Sequence, residues 1–343
     1  MQKITQNLLD WYSKNKRDLP WRKTKNPYYI WISEIMLQQT RVEVVKVYYE
    51  RFIKRLPTLK DLSTIHEDEL LKLWEGLGYY SRVRNMQKTA KILIDAGKNN
   101  LPNTKKELLN LPGIGKYTAG AILSIAFDKP SVAIDGNVYR VLGRYYAIGD
   151  SISKGSTYTI YEQRMHKILP KRQSGDFIQS FMDLGNEICT SKSPKCESCP
   201  LQKECKAKKL NQVGMYPVKD KQKEKKIEER SVFLLVYKDK VAIQKRKSTG
   251  LLASMYEFPN IQKTMSTIDI ENALFDKNIS YQYVSPVGDA KHVFSHVIWY
   301  MKGYIIELKK PLDNYCWVTK QQLKKKYSIP SAFSSYLDYF LKR

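Results

Sequence analysis

The spacing of apolar residues changes its period near residues 219–230, and this change limits the fold to two domains of different class. After it, SVFLLVY (231–237) and VAIQKR (241–246) are typical of strands that flank a hairpin turn at Lys238 and Asp239. Before it, apolar residues recur at helical intervals around residues 67–74, 82–96, 104–110, 116–126, 137–147, 157–168 and 174–188. The sequence therefore predicts an all-α domain followed by a smaller α+β domain.

The segment KDKQKEKKIEER (219–230) is almost wholly charged and has no apolar face, so it indicates a solvated linker. A chain of 343 residues is long enough for a core on either side of it. We expect one long helix from Pro27 to the residues before Pro57, and helices near 268–276 and 332–341. The predicted boundaries are residues 1–215 for the helical domain, 216–230 for the linker and 231–343 for the second domain.

The chain is strongly basic, with 59 Lys+Arg against 34 Asp+Glu and a formal net charge of +25. Such an excess repels itself in a compact state and usually serves an anionic partner, either nucleic acid or an acidic membrane. The alternative is that biased codon usage accounts for part of the Lys-rich composition. Interleaved aromatic residues, 24 Tyr and 6 Trp, favour nucleic acid.

The N-terminal residues MQKITQNLLDWYSKNK lack the apolar core of a secretory signal, and the longest apolar runs are far shorter than a bilayer span. We therefore expect a cytoplasmic protein, in a bacterium on the nucleoid, with no membrane contact. We also expect a monomer.

The string LPGIGKYTAGAILSIAF (111–127) places two glycines, Gly113 and Gly115, between two helical patterns. Glycine allows positive φ angles and a close approach of the backbone to another surface. A helix starting near Lys116 would direct its free N–H groups outward, as in an anion site. A tight turn between two helices that binds nothing is the alternative.

Asp135 emerges from an apolar run, SVAI, onto Gly136 and a new helical pattern. It is predicted to cap that helix, where a carboxylate keeps a low pKa and stays ionised. A persistent negative charge suits a developing sugar cation, although capping alone would also explain the residue.

LPGIGKYTAGAI (111–122) followed by VAIDGNV (132–138) resembles the helix-hairpin-helix and catalytic aspartate of the endonuclease III and MutY superfamily of DNA glycosylases. The resemblance extends over both halves of the chain. It implies that Gly113, Gly115 and Lys116 grip a DNA phosphate and that Asp135 stabilises an oxocarbenium ion.

Four cysteines, Cys189, Cys196, Cys199 and Cys205, follow the spacing C-x6-C-x2-C-x5-C. Thiolates this close predict a metal site, and the spacing alone suits either Zn²⁺ or a [4Fe–4S] cluster. The resemblance to the superfamily implies a [4Fe–4S] cluster in a loop over residues 189–205. It also implies that the loop holds basic residues near DNA phosphates, namely Lys192, Lys195 and Lys203. Cys316 is expected to be a small buried residue.

Tyr117 occupies the position at which bifunctional relatives carry a lysine that attacks the sugar and cleaves the strand. Lys116 lies one residue earlier, which turns its side chain by about 100° around the helix. The resemblance therefore implies a monofunctional enzyme with Tyr117 in its active site. An ordinary core aromatic is the alternative for Tyr117.

Glu34 lies inside an apolar helical run, WISEIMLQQTRV (31–42). Burial would raise its pKa toward neutrality and so suit it to general acid catalysis. Alternatively, Glu34 lies at the surface and pairs with Arg41 or Lys46. A closely similar motif in MutY-type adenine glycosylases carries the catalytic glutamate, which implies this role for Glu34.

In the second domain, GLLASMYEFPN (250–260) resembles the C-terminal domain of MutY, a relative of the Nudix hydrolases. Residues 261–278 contain a single glutamate, Glu271, rather than a Mg²⁺-binding glutamate helix, so we expect no pyrophosphate hydrolysis. HVFSH (292–296) resembles the loop that recognises 8-oxoguanine, although the residues alone suggest only a loop. By this resemblance the recognition residues are Phe294, Ser295 and His296.

The resemblance also assigns residues to base binding in duplex DNA. Gln39 and Tyr79 would wedge into the base stack beside the lesion. Packing in the core is the alternative for Trp21 and Tyr79, and it remains a substantial alternative for Tyr80. The implied adenine pocket consists of Leu19, Trp21, Arg22 and Gln179. The implied activity is removal of adenine opposite 8-oxoguanine or guanine in base excision repair.

The residues argue against three other functions. An endonuclease III-like glycosylase/lyase is disfavoured by Tyr117 and by the second domain. A non-enzymatic DNA-damage sensor is disfavoured because Glu34 and Asp135 are both present. A Nudix hydrolase with a DNA-binding extension is disfavoured because it lacks the glutamate helix.

Overall fold

The structure, a computed structural model, describes residues 2–221 and 224–343. Met1 and residues 222 and 223 of the predicted linker lie outside the described residues. The chain divides into two compact units, Met1–Thr64 with Asn85–Lys221, and Ile65–Arg84 with Gln222–Arg343. This division differs from the expected boundaries, because residues 65–84 belong to the second unit.

Helices make up the regular structure of the N-terminal two thirds of the described residues. Their bounds are α1 (Lys3–Asn15), α2 (Pro27–Leu37), α3 (Val42–Arg55), α4 (Leu59–Thr64), α5 (Glu67–Leu73), α6 (Ser81–Asp95), α7 (Lys105–Leu109), α8 (Lys116–Phe127), α9 (Gly136–Tyr146), α10 (Thr157–Ile168), α11 (Ser174–Glu187) and α12 (Lys206–Lys209). They confirm the helical patterns predicted from residue 67 onward. Among residues 2–221 and 224–343 no helix is long and apolar enough to cross a membrane.

The long helix predicted from Pro27 is wrong, because the chain forms two helices, α2 and α3. Between them Gln39 has a left-handed backbone with φ 60°, and Arg41 is extended with φ −69° and ψ 143°. Neither conformation continues the helical hydrogen-bond ladder. The break therefore presents Gln39 on an exposed turn rather than on a helix face.

Gly120 sets how closely α8 approaches the extended residues that precede α9. A Cβ atom at this position would lie 2.0 Å from the carbonyl oxygen of Val132. Only glycine permits this contact of backbone with backbone. Because Tyr117 lies in the first turn of the same helix and Asp135 follows Val132 by three residues, the contact brings the two side chains to one cleft.

The second unit is built around a mixed sheet with strand order β3-β2-β1-β6-β5, in which β4 also pairs with β1 and β7 with β2. Strands β1 and β6 are parallel, and the other pairs are antiparallel. The hairpin predicted at Lys238 and Asp239 joins β1 to β2 and is confirmed. The strands are β1 (Lys226–Tyr237), β2 (Lys240–Lys245), β3 (Tyr256–Glu257), β4 (Asn260–Ile261), β5 (Tyr281–Val293), β6 (Val297–Leu308) and β7 (Cys316–Thr319).

Strand β1 begins at Lys226, inside the segment predicted to be a solvated linker. Its charged half pairs in register with β6, from Lys226 opposite Val297 onward. Glu228 accepts a hydrogen bond from the Trp299 indole at 3.0 Å and pairs with Arg230 at 2.9 Å. Local composition does not predict this strand, because its backbone pairs with β6 and Glu228 contacts Trp299, both of which are distant in sequence.

Helices cover both faces of the sheet, namely α13 (Thr267–Asp276), α14 (Lys320–Lys325) and α15 (Ser334–Lys342). On one face Leu234 joins a core with Phe333. On the other, Leu235 packs with Ile270 and Leu274 of α13. The alternation of adjacent leucines follows from the two-residue period of a strand, and α13 and α15 confirm the predicted helices.

Candidate active site

A cleft of about 870 Å³ in the first unit collects residues that lie far apart in the sequence. Of the predicted site residues it is lined by Leu19, Trp21, Arg22, Glu34, Gln39, Gly113, Gly115, Lys116, Tyr117, Asp135 and Gln179. The predicted catalytic and adenine-binding residues therefore share one cavity with the hairpin residues that are predicted to bind phosphate.

Glu34 is buried on α2 with 4% of its surface exposed. Its Oε2 atom accepts a hydrogen bond of 2.6 Å from the Tyr117 hydroxyl. The pKa of Glu34 is raised to about 7: burial raises it most, the Tyr117 hydrogen bond and the charge of Arg22 lower it, and the charge of Asp135 raises it. The alternative of a surface glutamate is wrong, and Lys46 instead pairs with Glu43 at 3.2 Å.

Tyr117, rather than Lys116, is the hairpin-helix residue that reaches the buried carboxyl. The Lys116 ammonium instead lies 4.5 Å from the centre of the Tyr158 ring. Burial raises the pKa of Tyr117 well above its ordinary value, so its hydroxyl remains a donor at neutral pH. Tyr117 also packs against the core of the unit, so its ring is structural as well.

Asp135 caps α9, as predicted. Its Oδ1 atom accepts the Val138 N–H at 2.8 Å, and its Oδ2 atom accepts the Asn137 side-chain amide at 2.7 Å. The expectation of a low pKa is wrong, since burial raises the pKa of Asp135 above its ordinary value. The two hydrogen bonds and Arg140 oppose that rise by stabilising the anion.

The adenine-pocket residues Leu19 and Trp21 are buried, with 2% and 5% of their surfaces exposed. The Trp21 ring packs edge-on against Tyr49 at 5.4 Å, so it belongs to the core as well as to the cleft wall. Gln179 is also buried, and its amide nitrogen donates to Gly175 O of its own helix at 3.2 Å.

Sequence reasoning missed Asp183, a fully buried carboxylate on α11. Arg22 approaches it with two nitrogens, at 2.6 and 2.9 Å, and Arg17 lies at 2.6 Å. Both arginines line the cleft. An acidic residue inside the apolar run FIQSFMDL was the available signal, the same one that singled out Glu34.

Arg140 was also missed, and it connects the surroundings of Asp135 to the cysteine loop. It donates to the Asn137 side-chain oxygen at 2.7 Å, while Asn137 donates to Asp135. It also donates to Gly185 O and Cys189 O, each at 2.7 Å. The contacts with Gly185 and Cys189 are not predicted by any local pattern, because these residues are 45 and 49 positions away in the sequence.

The hairpin turn has the geometry expected of an anion site at a helix N-terminus. Gly113 has φ 77°, and a Cβ there would lie 2.7 Å from the Asn85 Cβ, so glycine is required. Gly115 precedes α8 without a side-chain cap, and both Gly115 and Lys116 are exposed. Because glycine has no side chain, the N-cap residue Gly115 cannot accept a side-chain hydrogen bond from the first N–H groups of α8.

The four predicted ligand cysteines line one cavity in the first unit. Among the described residues no group of three or more His, Cys, Asp or Glu side chains is arranged to hold a single metal ion. The donor set nevertheless suits a larger cluster. Buried Arg144 donates to Cys189 Sγ at 3.3 Å, and burial raises the pKa of Cys199 to about 12, so a bound cation would stabilise the thiolate form there.

Lys192, Lys195 and Lys203 are exposed around the cysteine loop, where they can meet an anion. The expectation that Cys316 is buried is wrong, because it starts the short strand β7 and is exposed.

The second unit has a pocket of about 420 Å³ that is lined by Tyr79, Phe294, Ser295 and His296. These last three residues form the turn between β5 and β6, in which Phe294 N–H donates to Val297 O at 2.8 Å. The hydroxyls of Tyr79 and Ser295 lie 3.1 Å apart.

Tyr79 shares with Gln39 an exposed side chain on a left-handed backbone, with φ 47° and 60° respectively. Such a conformation in a bulky residue is uncommon and marks sites worth testing for function. Gln39 lies in the first unit and Tyr79 in the second. Tyr80, next to it, is buried as expected.

Two family models match the chain. Residues 32–171 match the HhH-GPD superfamily of base excision DNA repair proteins, and residues 231–339 match the NUDIX domain. The helical part therefore has the fold of the helix-hairpin-helix class of base excision DNA repair proteins, and a NUDIX domain follows it.

Individual proteins that are similar to this chain indicate a more specific family. The adenine DNA glycosylase of Buchnera aphidicola subsp. Baizongia pistaciae is 38% identical over 89% of this chain and 86% of its own length. A thermostable thymine-DNA glycosylase is similar in structure (TM-score 0.56, 29% identity, 60% of this chain and 95% of that one). So is endonuclease III in a non-covalent DNA complex (TM-score 0.52, 28% identity, 62% and 98%). The chain belongs to the adenine DNA glycosylase family, whose members hydrolyse N-glycosyl bonds in base excision repair.

Proposed function

We propose that this protein is a monofunctional DNA glycosylase that removes adenine paired with 8-oxoguanine or guanine in duplex DNA. The observation that carries the proposal is the buried Glu34, whose pKa of about 7 leaves a proton available near neutral pH. Its position in one cleft with Tyr117 and Asp135 supplies the partners that the reaction needs.

The base must leave the stack before it can react. The cleft would receive adenine against Leu19 and Trp21, with Arg22 and Gln179 at its polar edge. Since Arg22 is already held by Asp183, its guanidinium is fixed in place before the base arrives.

Protonated Glu34 gives its proton to adenine N7. The C1′–N9 bond then breaks, its electron pair stays on N9, and neutral adenine leaves. Tyr117, which donates to Glu34, orients the acid. Glu34, now ionised, accepts a proton from the water that attacks C1′, and this step restores the acid.

Asp135 faces the positive charge that develops on the sugar. Its anion is supported by the Val138 N–H and the Asn137 amide, and it stabilises the oxocarbenium ion either through its charge or through a covalent adduct. This is the two-carboxylate logic of glycoside hydrolysis applied to a nucleotide.

The second unit would recognise the base opposite adenine. Ser295 is the polar group proposed to contact 8-oxoguanine, with Phe294 and His296 beside it and Tyr79 at the same pocket. Gln39 and Tyr79 are the proposed wedges that hold the opened stack.

A [4Fe–4S] cluster would be bound by the four cysteines, and when bound it would fix the fold of the loop rather than react. The residues that then act are the exposed Lys192, Lys195 and Lys203, which would bind DNA phosphates together with Gly113, Gly115 and Lys116. We propose that the protein works as a monomer in the bacterial cytosol.

The central test measures adenine release from three duplexes, with adenine opposite 8-oxoguanine, guanine or thymine. We expect release from the first two and little from the third. Glu34→Gln and Asp135→Asn should each abolish release while binding of the duplex is retained. Equal activity on all three duplexes, or full activity in either variant, would contradict the proposal.

Borohydride separates this proposal from the glycosylase/lyase alternative. A monofunctional enzyme forms no Schiff base, so borohydride should trap no covalent complex with DNA. Efficient trapping would favour the lyase, and a Lys116→Gln variant would show whether this lysine is the one trapped.

A further inference from the structure

The ammonium group of Lys72 on α5 contacts three acceptors. It donates to Tyr327 O at 3.0 Å and Leu323 O at 3.4 Å, and it pairs with Glu75 Oε2 at 2.5 Å. An ammonium group has three N–H donors, and here each has an acceptor. The two carbonyls belong to α14 and the residues after it, so Lys72 joins two parts of the second unit that are 251 and 255 residues apart in sequence.

Glu75 completes the link. While Oε2 holds Lys72, Oε1 accepts the Ile329 N–H at 3.2 Å. The side chains of Lys72 and Glu75 are 23% and 31% exposed. The Glu43–Lys46 pair on α3 has the same three-residue spacing but is 80% and 36% exposed, and the contacts seen for these two side chains stay within their own helix. Because it is partly buried and includes backbone acceptors, the Lys72 link should contribute more to stability than such a surface pair.

A rigid turn connects this link to Tyr79. The Trp74 indole donates to Gly78 O at 3.1 Å. The Arg82 guanidinium donates to Leu77 O at 2.9 Å and to Gly78 O at 3.0 Å. Since Tyr79 follows Glu75 by only four residues and the turn between them is cross-bonded, a shift of α5 would be passed on to the Tyr79 side chain.

Tyr79 ends this path at the pocket proposed for the base opposite adenine. Its hydroxyl lies 3.1 Å from that of Ser295, and both residues line the same pocket. The two side chains are 216 residues apart in sequence, so their distance depends on what holds the segment 65–84 to the rest of the second unit.

We propose that Lys72, together with Glu75, is a positioning residue for discrimination of the base opposite adenine. The pair fixes the turn that carries Tyr79 against the turn that carries Ser295 and so keeps the recognition pocket in shape. This inference rests on the proposed function, because it concerns how the same pocket distinguishes 8-oxoguanine from guanine.

The test compares single-turnover excision of adenine opposite 8-oxoguanine and opposite guanine. In Lys72→Met, we expect the ratio of the two rates to fall by roughly tenfold, since small displacements of contacting groups cost at least this much. Excision opposite guanine should change little. Lys72→Arg, which can still donate to both carbonyls and to Glu75, should keep most of the preference.

Two further measurements separate positioning from a general loss of structure. Lys46→Met, the matched control from the exposed pair, should keep the full preference. In a double-mutant cycle, Lys72→Met added to Ser295→Ala should lower the preference little further, because both act through the same contact. If Lys72→Met folds poorly, Glu75→Gln provides a milder variant. It should shift the ratio of the two rates in the same direction.

An unchanged ratio in both Lys72→Met and Glu75→Gln would overturn the inference. So would an equal loss of rate on both duplexes, or additive effects with Ser295→Ala. Absence of any preference for 8-oxoguanine over guanine in the unsubstituted protein would contradict the proposed recognition of 8-oxoguanine by the second unit, and the inference with it, whereas absence of adenine release from both duplexes would contradict the proposed function itself.

Discussion

The Tyr117 hydroxyl donates a 2.6 Å hydrogen bond to Oε2 of Glu34, a carboxyl group with 4% of its surface exposed. Two opposing influences meet in this contact. Burial raises the pKa of Glu34, and the hydrogen bond lowers it, with a net pKa of about 7. The pair therefore sets the fraction of the acid that is protonated at neutral pH.

The pH dependence of excision should follow from this balance. Since Glu34 must carry a proton, the rate should fall about tenfold per unit once the pH exceeds about 7. Asp135 must be ionised, and its raised pKa places the acid limb above the range of an ordinary aspartate. Single-turnover rates between pH 4 and 9 would show a bell-shaped profile. A rate that stays constant from pH 6 to 9 would exclude Glu34 as the acid.

Tyr117→Phe should displace the basic limb of that profile. Removing the hydroxyl removes a hydrogen bond that lowers the pKa of Glu34, so the limb should move to higher pH. The maximal rate should fall as well, because the acid loses the group that orients it. The same pH series on the variant measures both effects. A basic limb at an unchanged pH would mean that the hydroxyl does not influence the acid.

Glu34→Gln should make the protein more stable in base. Because the pKa of Glu34 is raised from 4.5 to about 7 on folding, the native state binds the proton more tightly. That contribution is fully present below about pH 4.5 and lost as the pH rises through 7. Glutamine has no such dependence, so at pH 8 the variant should be more stable by about 1–3 kcal/mol. Urea unfolding at pH 5 and 8 provides the comparison, and equal differences at the two values would refute the burial argument.

Asp183→Asn should be strongly destabilising. The side chain of Asp183 is 0% exposed and compensates both Arg17 and Arg22, which are themselves 26% and 10% exposed. Removing one partner of a buried ionic group costs about 3–5 kcal/mol. Asp18→Asn is the matched control, since Asp18 is 80% exposed and pairs with Lys23 at the surface. Its free energy of unfolding should change by less than about 0.5 kcal/mol.

Binding to DNA should depend steeply on salt. Each phosphate neutralised releases a counterion, so the association constant should fall by roughly 30-fold or more between 50 and 200 mM salt. Lys116→Gln should reduce the slope of log K against log salt by about one unit. Lys46→Gln should leave that slope unchanged. A flat salt response in the unsubstituted protein would refute the interpretation of its +25 net charge.

Much of the molecule could be predicted from local patterns. The helical periods from residue 67 onward, the hairpin at Lys238 and Asp239, and the cap at Asp135 depend on neighbours within a few positions, and the structure confirms them. The break between α2 and α3 escaped prediction because residues 38–41, although polar, include no Gly or Pro that would signal the end of a helix, and the left-handed conformation falls on Gln39. The start of β1 at Lys226 escaped because charged residues form a strand only when a partner, here β6, is supplied from elsewhere.

By itself, the sequence determined which residues could do the chemistry: the hairpin glycines, the aspartate that follows them, an acid in an apolar helix and four closely spaced cysteines. Tertiary structure alone decided the protonation of Glu34, because a pKa depends on burial and on neighbours such as Tyr117, which is 83 residues away. It also decided that Asp183 holds two arginines and that residues 65–84 carry Tyr79 to Ser295. Burial and charge pairing arise from the packing of distant segments, and no local spacing records them.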